Sequence, residues 1–226
     1  FSAKNVTGLS TVEISAKTLN NVSVVNLGAA DITLSTVGAT TTLKTTILDN
    51  SGATTINMTA KDAATAAKST TAGAETALGS VTLSNSTSVT VNVNDYVTYD
   101  ASATLLASKA TEVTLNVDSA KNANTTPAEQ TAFNAILKAS NATNLTVNSA
   151  GNTNLANGSA LGSVQTATIV AGGVVDISNA ALDAAANVTL SGTEKTATVT
   201  TGTIGKTTMD YSTNVSATGL KAGLTL

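Results

Sequence analysis

Short clusters in which two or three branched apolar residues alternate with Thr, Ser or Asn recur along the chain. They include Val12-Glu13-Ile14, Val22-Ser23-Val24, Ile32-Thr33-Leu34, Ile56-Asn57-Met58 and Val81-Thr82-Leu83. Further along come Val89-Thr90-Val91-Asn92-Val93, Val113-Thr114-Leu115-Asn116-Val117, Leu145-Thr146-Val147 and Val188-Thr189-Leu190. A two-residue period sends the apolar side chains to one face of a strand and the polar ones to the other. The pattern predicts an all-β chain of many short strands.

The spacing narrows the architecture. Clusters start at 12, 22, 32, 43 and 56, a near-regular pulse. The segment Ala110-Thr111-Glu112-Val113-Thr114-Leu115-Asn116-Val117 is echoed by Ala142-Thr143-Asn144-Leu145-Thr146-Val147-Asn148-Ser149. Such a pulse suits a parallel β-solenoid or a β-sandwich built from hairpins. Asn-Gly, the strongest hairpin signal, occurs once, at Asn157-Gly158, and Asp-Gly never. Small branched side chains also suit the narrow interior of a coil, where like stacks on like. The favoured expectation is a parallel β-solenoid-like stack forming one elongated β domain over 1–226, with β-sandwich domains as the alternative.

Three stretches break the rhythm. Thr126-Pro127-Ala128-Glu129 carries an N-cap, a proline at the first helical position and a capping-box glutamate. Phe133, Ile136 and Leu137 follow at i, i+3 and i+4, and Asn141 offers a stop, so a helical insert is expected over 126–141. The Ala/Thr-rich stretch 61–78, Lys61 to Leu78, reads as a weak helix or surface loop. A helical turn is also expected from Asn179 to Ala186, with Asn179 as its cap.

Composition then removes most chemistry. The chain has no Cys, His, Trp or Arg, while its 44 Thr, 22 Ser and 22 Asn make up about two-fifths of 226 residues. Without His and Cys, imidazole acid–base chemistry, Cys–His nucleophiles and the usual zinc sites are unavailable. A net charge of −3 with dispersed lysines does not suit nucleic acid. Two catalytic routes remain, and neither is well formed. Asp95 and Asp100, near Asn92 and Asn94, are an odd number of positions apart and would face opposite sides of a strand. Ser108 and Lys109 are adjacent and would diverge in the same way. The expectation is no catalytic residue, no cofactor-binding residue and no enzyme. No window reaches the roughly 18 apolar residues of a spanning helix, so no transmembrane segment is expected. A first residue of Phe1 in place of Met reads as a processed or excised piece of a longer chain.

The phrases Ala142-Thr143-Asn144-Leu145-Thr146-Val147-Asn148, Ala186-Asn187-Val188-Thr189-Leu190-Ser191-Gly192 and Thr196-Ala197-Thr198-Val199-Thr200-Thr201-Gly202 resemble the β-solenoid parts of RTX-type bacterial surface-layer (S-layer) proteins. The resemblance implies a secreted, extracellular structural protein that self-assembles on the bacterial cell surface, with itself and cell-surface polysaccharide as partners. It also implies calcium-dependent assembly. The family's calcium nonapeptide is absent, and Gly172-Gly173 followed by Asp176 is the nearest trace. An adhesin or autotransporter-like stalk and a surface filament subunit are alternatives of the same composition. A ligand-binding solenoid, ice-binding included, would need T-x-T pairs at a fixed coil spacing. The pairs Thr40/Thr42, Thr166/Thr168, Thr196/Thr198/Thr200 and Thr201/Thr203 are irregularly spaced.

Overall fold

A computed structural model describes residues 10–16, 22–27, 30–37, 43–50, 52–61, 76–83, 85–93, 97–99, 104–118, 133–194, 197–204, 214–220 and 223–225. Strands are numbered along the chain. The first sheet has nine, in the order β1 (Thr11–Ala16), β3 (Ala30–Val37), β5 (Gly52–Lys61), β7 (Ser86–Val93), β10 (Glu112–Val117), β12 (Asn144–Ser149), β14 (Thr166–Ala171), β16 (Asn187–Gly192) and β18 (Asn214–Thr218). The second runs beside it as β2 (Val22–Leu27), β4 (Leu43–Asn50), β6 (Thr76–Leu83), β9 (Thr104–Leu106), β11 (Phe133–Lys138), β13 (Thr153–Leu155), β15 (Val174–Ile177), β17 (Thr198–Thr201) and β19 (Gly223–Thr225). A short β8 (Val97–Tyr99) pairs with β6, off the main strand order.

Apart from β8 and β9, which both belong to the second sheet, successive strands along the chain alternate between the sheets, and every pairing between named strands is parallel. This is the parallel β-solenoid-like arrangement, and the hairpin sandwich is set aside. The echo between 110–117 and 142–149 is now explained: β10 and β12 are adjacent rungs, with Val113 level with Leu145 and Leu115 level with Val147.

The core lies between the sheets and repeats by column. One inward column runs Ile56, Val91, Leu115, Val147, Ile169, Leu190, all essentially buried. Its neighbour runs Val89, Val113, Leu145, Ala167, Val188. Buried branched side chains contribute about 1.5–3 kcal/mol each. At the last coil the same inward positions are open, with Val215 and Leu224 at 41% and 36% exposure.

Turns between the sheets have their own rule. In Ala107–Ala110, Ala139–Ala142, Leu161–Val164 and Leu182–Ala185, the fourth N–H donates to the first carbonyl at 3.0–3.1 Å. The outer pair of apolar residues is buried in each, while the middle pair is largely solvent-facing. Asn157-Gly158 is the middle of one more such turn, with Gly158 at φ 98°. It lies on the connection from β13 to β14, which belong to different sheets, and makes no hairpin.

The helical insert expected over 126–141 is corrected. Residues 126–132 lie outside the described residues, but Phe133–Lys138 is strand β11 and Ala139–Ala142 is a turn. The same residues support two periods: Phe133, Ala135 and Leu137 at i, i+2 and i+4 are all buried. Phe133–Ala135 pair with β13 and Ile136–Lys138 with β9, so each half of β11 has a strand partner. A single short helix has no comparable reward, since isolated helices of this length are marginal. The helical turn expected at Asn179–Ala186 is likewise replaced, by two reverse turns ending at Ala180 and Ala185. Of the stretch 61–78, residues 62–75 lie outside the described residues. Lys61 closes β5 and Thr76–Leu78 opens β6.

Candidate functional site: the outer face of the first sheet

The strand triplets Thr55-Ile56-Asn57, Thr90-Val91-Asn92, Thr114-Leu115-Asn116 and Thr146-Val147-Asn148 stack in register. Each middle residue points into the core, so each Thr and Asn faces outward. The Thr column continues through Thr168 and Thr189 to Ser216. The Asn column continues as Val170 and Ser191. Rungs repeat at about 4.8 Å, and the two columns lie about 6.7 Å apart.

Side-chain amides join the Asn column. Asn92 Nδ2 donates to Asn57 Oδ1, Asn116 Nδ2 to Asn92 Oδ1, and Asn148 Nδ2 to Asn116 Oδ1, each at 2.8 Å. An amide carries donor and acceptor together, so identical side chains at rung spacing form a self-consistent chain, as stacked Asn does in cross-β assemblies. An open furrow of about 530 Å³ follows this column. Asp118 and Thr193 flank it, and among the described residues Asp118 is the one ionisable member of its lining.

The second sheet carries a shorter ladder. Asn154 Nδ2 donates to Asn134 Oδ1 at 2.9 Å, and the next residue in that column is Asp176. A carboxylate has no N–H to give, and Asn154 Oδ1 is buried without a partner. Asp176 Oδ1 instead accepts the Ser178 N–H at 2.9 Å.

The residues singled out in the sequence separate as follows. Asp95, Asp100 and Asn94 lie outside the described residues, while Asn92 belongs to the ladder. Ser108 and Lys109 occupy the middle of the Ala107–Ala110 turn, and Lys109 Nζ donates to Asn85 Oδ1 at 2.6 Å. Gly172 and Gly173 form the corner between β14 and β15, and Asp176 sits within β15. No group of three potential metal-ligating residues occurs among the described residues. Thr166 and Thr168 share the outer face of β14, but Thr201 is buried and Thr203 exposed.

The Thr-x-Asn array itself was missed by the sequence reading. The T-x-T search asks for two threonines on one strand, whereas here one Thr per strand builds the column across coils. Aligning the T-Φ-N triplets, where Φ is any branched apolar residue, is the signal that finds it; of the five in the chain, Thr18-Leu19-Asn20 lies outside the described residues.

No family model, curated protein or solved structure matches the chain.

Proposed function

We propose that this protein is a non-catalytic structural component of a bacterial cell surface, a solenoid body that self-assembles into an S-layer-like lattice. The observation that supports this most is the continuous parallel stack with short, mostly uncharged side chains repeating in columns outside. Such a body satisfies its backbone within its own ladders and resists local opening. Repeated identical columns let many weak contacts between copies add up, and heterologous contacts propagate without closing. Low charge density permits close approach of neighbours. The bacterial surface location and the involvement of calcium rest on the S-layer-like phrases of the sequence.

Electron microscopy of the purified protein at high concentration, with and without calcium, tests this reading. Ordered sheets, favoured by calcium, are the expected result. Isolated monomeric rods under both conditions, together with fractionation of the native protein away from the cell envelope, would overturn it. Fibres in place of sheets would select the filament form of self-assembly.

A further inference from the structure

We propose that the furrow along Asn57, Asn92, Asn116 and Asn148 binds a neutral, extended glycan lying parallel to the stack of coils. The inference goes beyond self-assembly and stands independently of it.

A carboxamide offers two N–H donors and an oxygen with two lone pairs. The ladder takes one N–H from Asn92, Asn116 and Asn148, and one acceptor site on Asn57, Asn92 and Asn116. Asn92 and Asn116 therefore each keep one donor and one acceptor site beyond the ladder. These remaining sites recur at the rung spacing of about 4.8 Å and span about 14 Å from Asn57 to Asn148. Vicinal sugar hydroxyls both donate and accept, and an extended sugar chain presents them at a regular interval. The rigid sheet holds the amides in place before the ligand arrives, which lowers the ordering cost of binding.

Charge selects the class of ligand. Among the described residues the lining holds no cation, and the Asp118 carboxylate there disfavours phosphate, sulfate or uronate groups. No aromatic side chain occurs among those described lining residues, so hydrogen bonds exchanged against water supply the affinity. A dissociation constant on the order of 1 mM is therefore expected. A flat sheet from a second copy fits less well. It would bridge over the recessed amides and leave their remaining donors without partners, at the cost that burial of polar groups carries.

The test is an NMR titration of the ¹⁵N-labelled chain, kept dilute enough to stay monomeric, with chitohexaose and with cellohexaose. The sugars are added up to about 10 mM, ten times the expected dissociation constant. The side-chain amide signals of Asn92 and Asn116 should shift saturably with at least one sugar, while those of Asn134 and Asn154 on the other sheet stay in place. Asn116→Thr, a substitution suited to strands, should weaken binding at least five-fold with the backbone spectrum otherwise retained. Asn134→Thr should leave binding unchanged. The absence of a saturable shift with either sugar would overturn the proposal. So would shifts at Asn92 and Asn116 that follow protein concentration alone, which would assign the face to a second copy. Neither failure bears on whether the protein forms sheets under the microscope.

Discussion

The coils from β5 to β12 and those from β12 to β18 reach the same rung spacing by different means. Between partners in one inward column, the chain advances 35 residues from Ile56 to Val91, 24 to Leu115 and 32 to Val147. It then advances 22 residues to Ile169, 21 to Leu190 and 27 to Ala217. In the earlier coils residues 62–75 separate β5 from β6 and residues 118–132 separate β10 from β11, and the rungs after them keep the same columns. In the later ones β14 passes to β15 through Gly172 and Gly173 alone. The inward column at this corner shrinks in step, from Val93 and Val117 to Ser149, Ala171 and Gly192. At the opposite corner the trend reverses. Only residues 84–85 separate β6 from β7, whereas 156–165 join β13 to β14. The register therefore depends on the strand triplets, and the corners absorb the differences in coil length.

Five substitutions probe this contrast. Stability is best read by hydrogen exchange together with denaturant unfolding, because a stack of coils opens in parts. The largest effect is expected at the end of the longest excursion. Phe133 is among the largest fully buried side chains, and Phe133→Ala should cost about 4 kcal/mol and strip protection from β9, β11 and β13. Loss of less than about 1 kcal/mol would mean that β11 is not part of the core.

The tight corner comes next. A Cβ on Gly173 would lie 2.6 Å from the Gly151 carbonyl oxygen, and one on Gly172 2.8 Å from that of Ala150. Backbone cannot step aside as a side chain can, so Gly173→Ala should cost about 2–3 kcal/mol. Gly162→Ala in an exposed turn meets nothing closer than 3.7 Å and should stay within about 0.5 kcal/mol of the parent. Equal effects at the two positions would show that the corner is looser than described.

On the outer face, Asn116→Ala removes two ladder bonds and should cost about 1–2 kcal/mol by urea unfolding. The smallest change is a gain. Asp176→Asn supplies the N–H that the buried Asn154 Oδ1 lacks, while its own oxygen can still accept from Ser178. It should raise stability by about 1 kcal/mol in thermal unfolding. A loss would show that Asp176 serves some other partner.

Much of this fold is legible in the sequence. The period-2 clusters mark strands, and the echo between 110–117 and 142–149 marks two adjacent rungs. The helical expectation failed because Phe133 and Leu137 satisfy a period of two as well as one of 3.6. Ala135 between them is too small to announce a core position. The capping signals before them are local, whereas pairing with β9 and β13 comes from residues some 20 to 30 positions away. The coil turns were hidden for a similar reason. Their signature is a buried apolar pair around two solvent-facing residues, as in Ala139-Ser140-Asn141-Ala142, and of the four only Leu161–Val164 has a glycine at its centre. The Thr and Asn columns become visible only once the register is known, because unequal coils scatter their members unevenly along the chain.

Pulsed electron paramagnetic resonance offers the most direct test of the claim that the register survives the excursions. The chain has no cysteine, so Thr55→Cys with Thr189→Cys gives two unique labels in one outward column. Doubly labelled protein diluted into unlabelled protein should give one narrow distribution, with labelled sites five rungs or about 24 Å apart. A broad distribution, or a mean far from that value, would contradict the account.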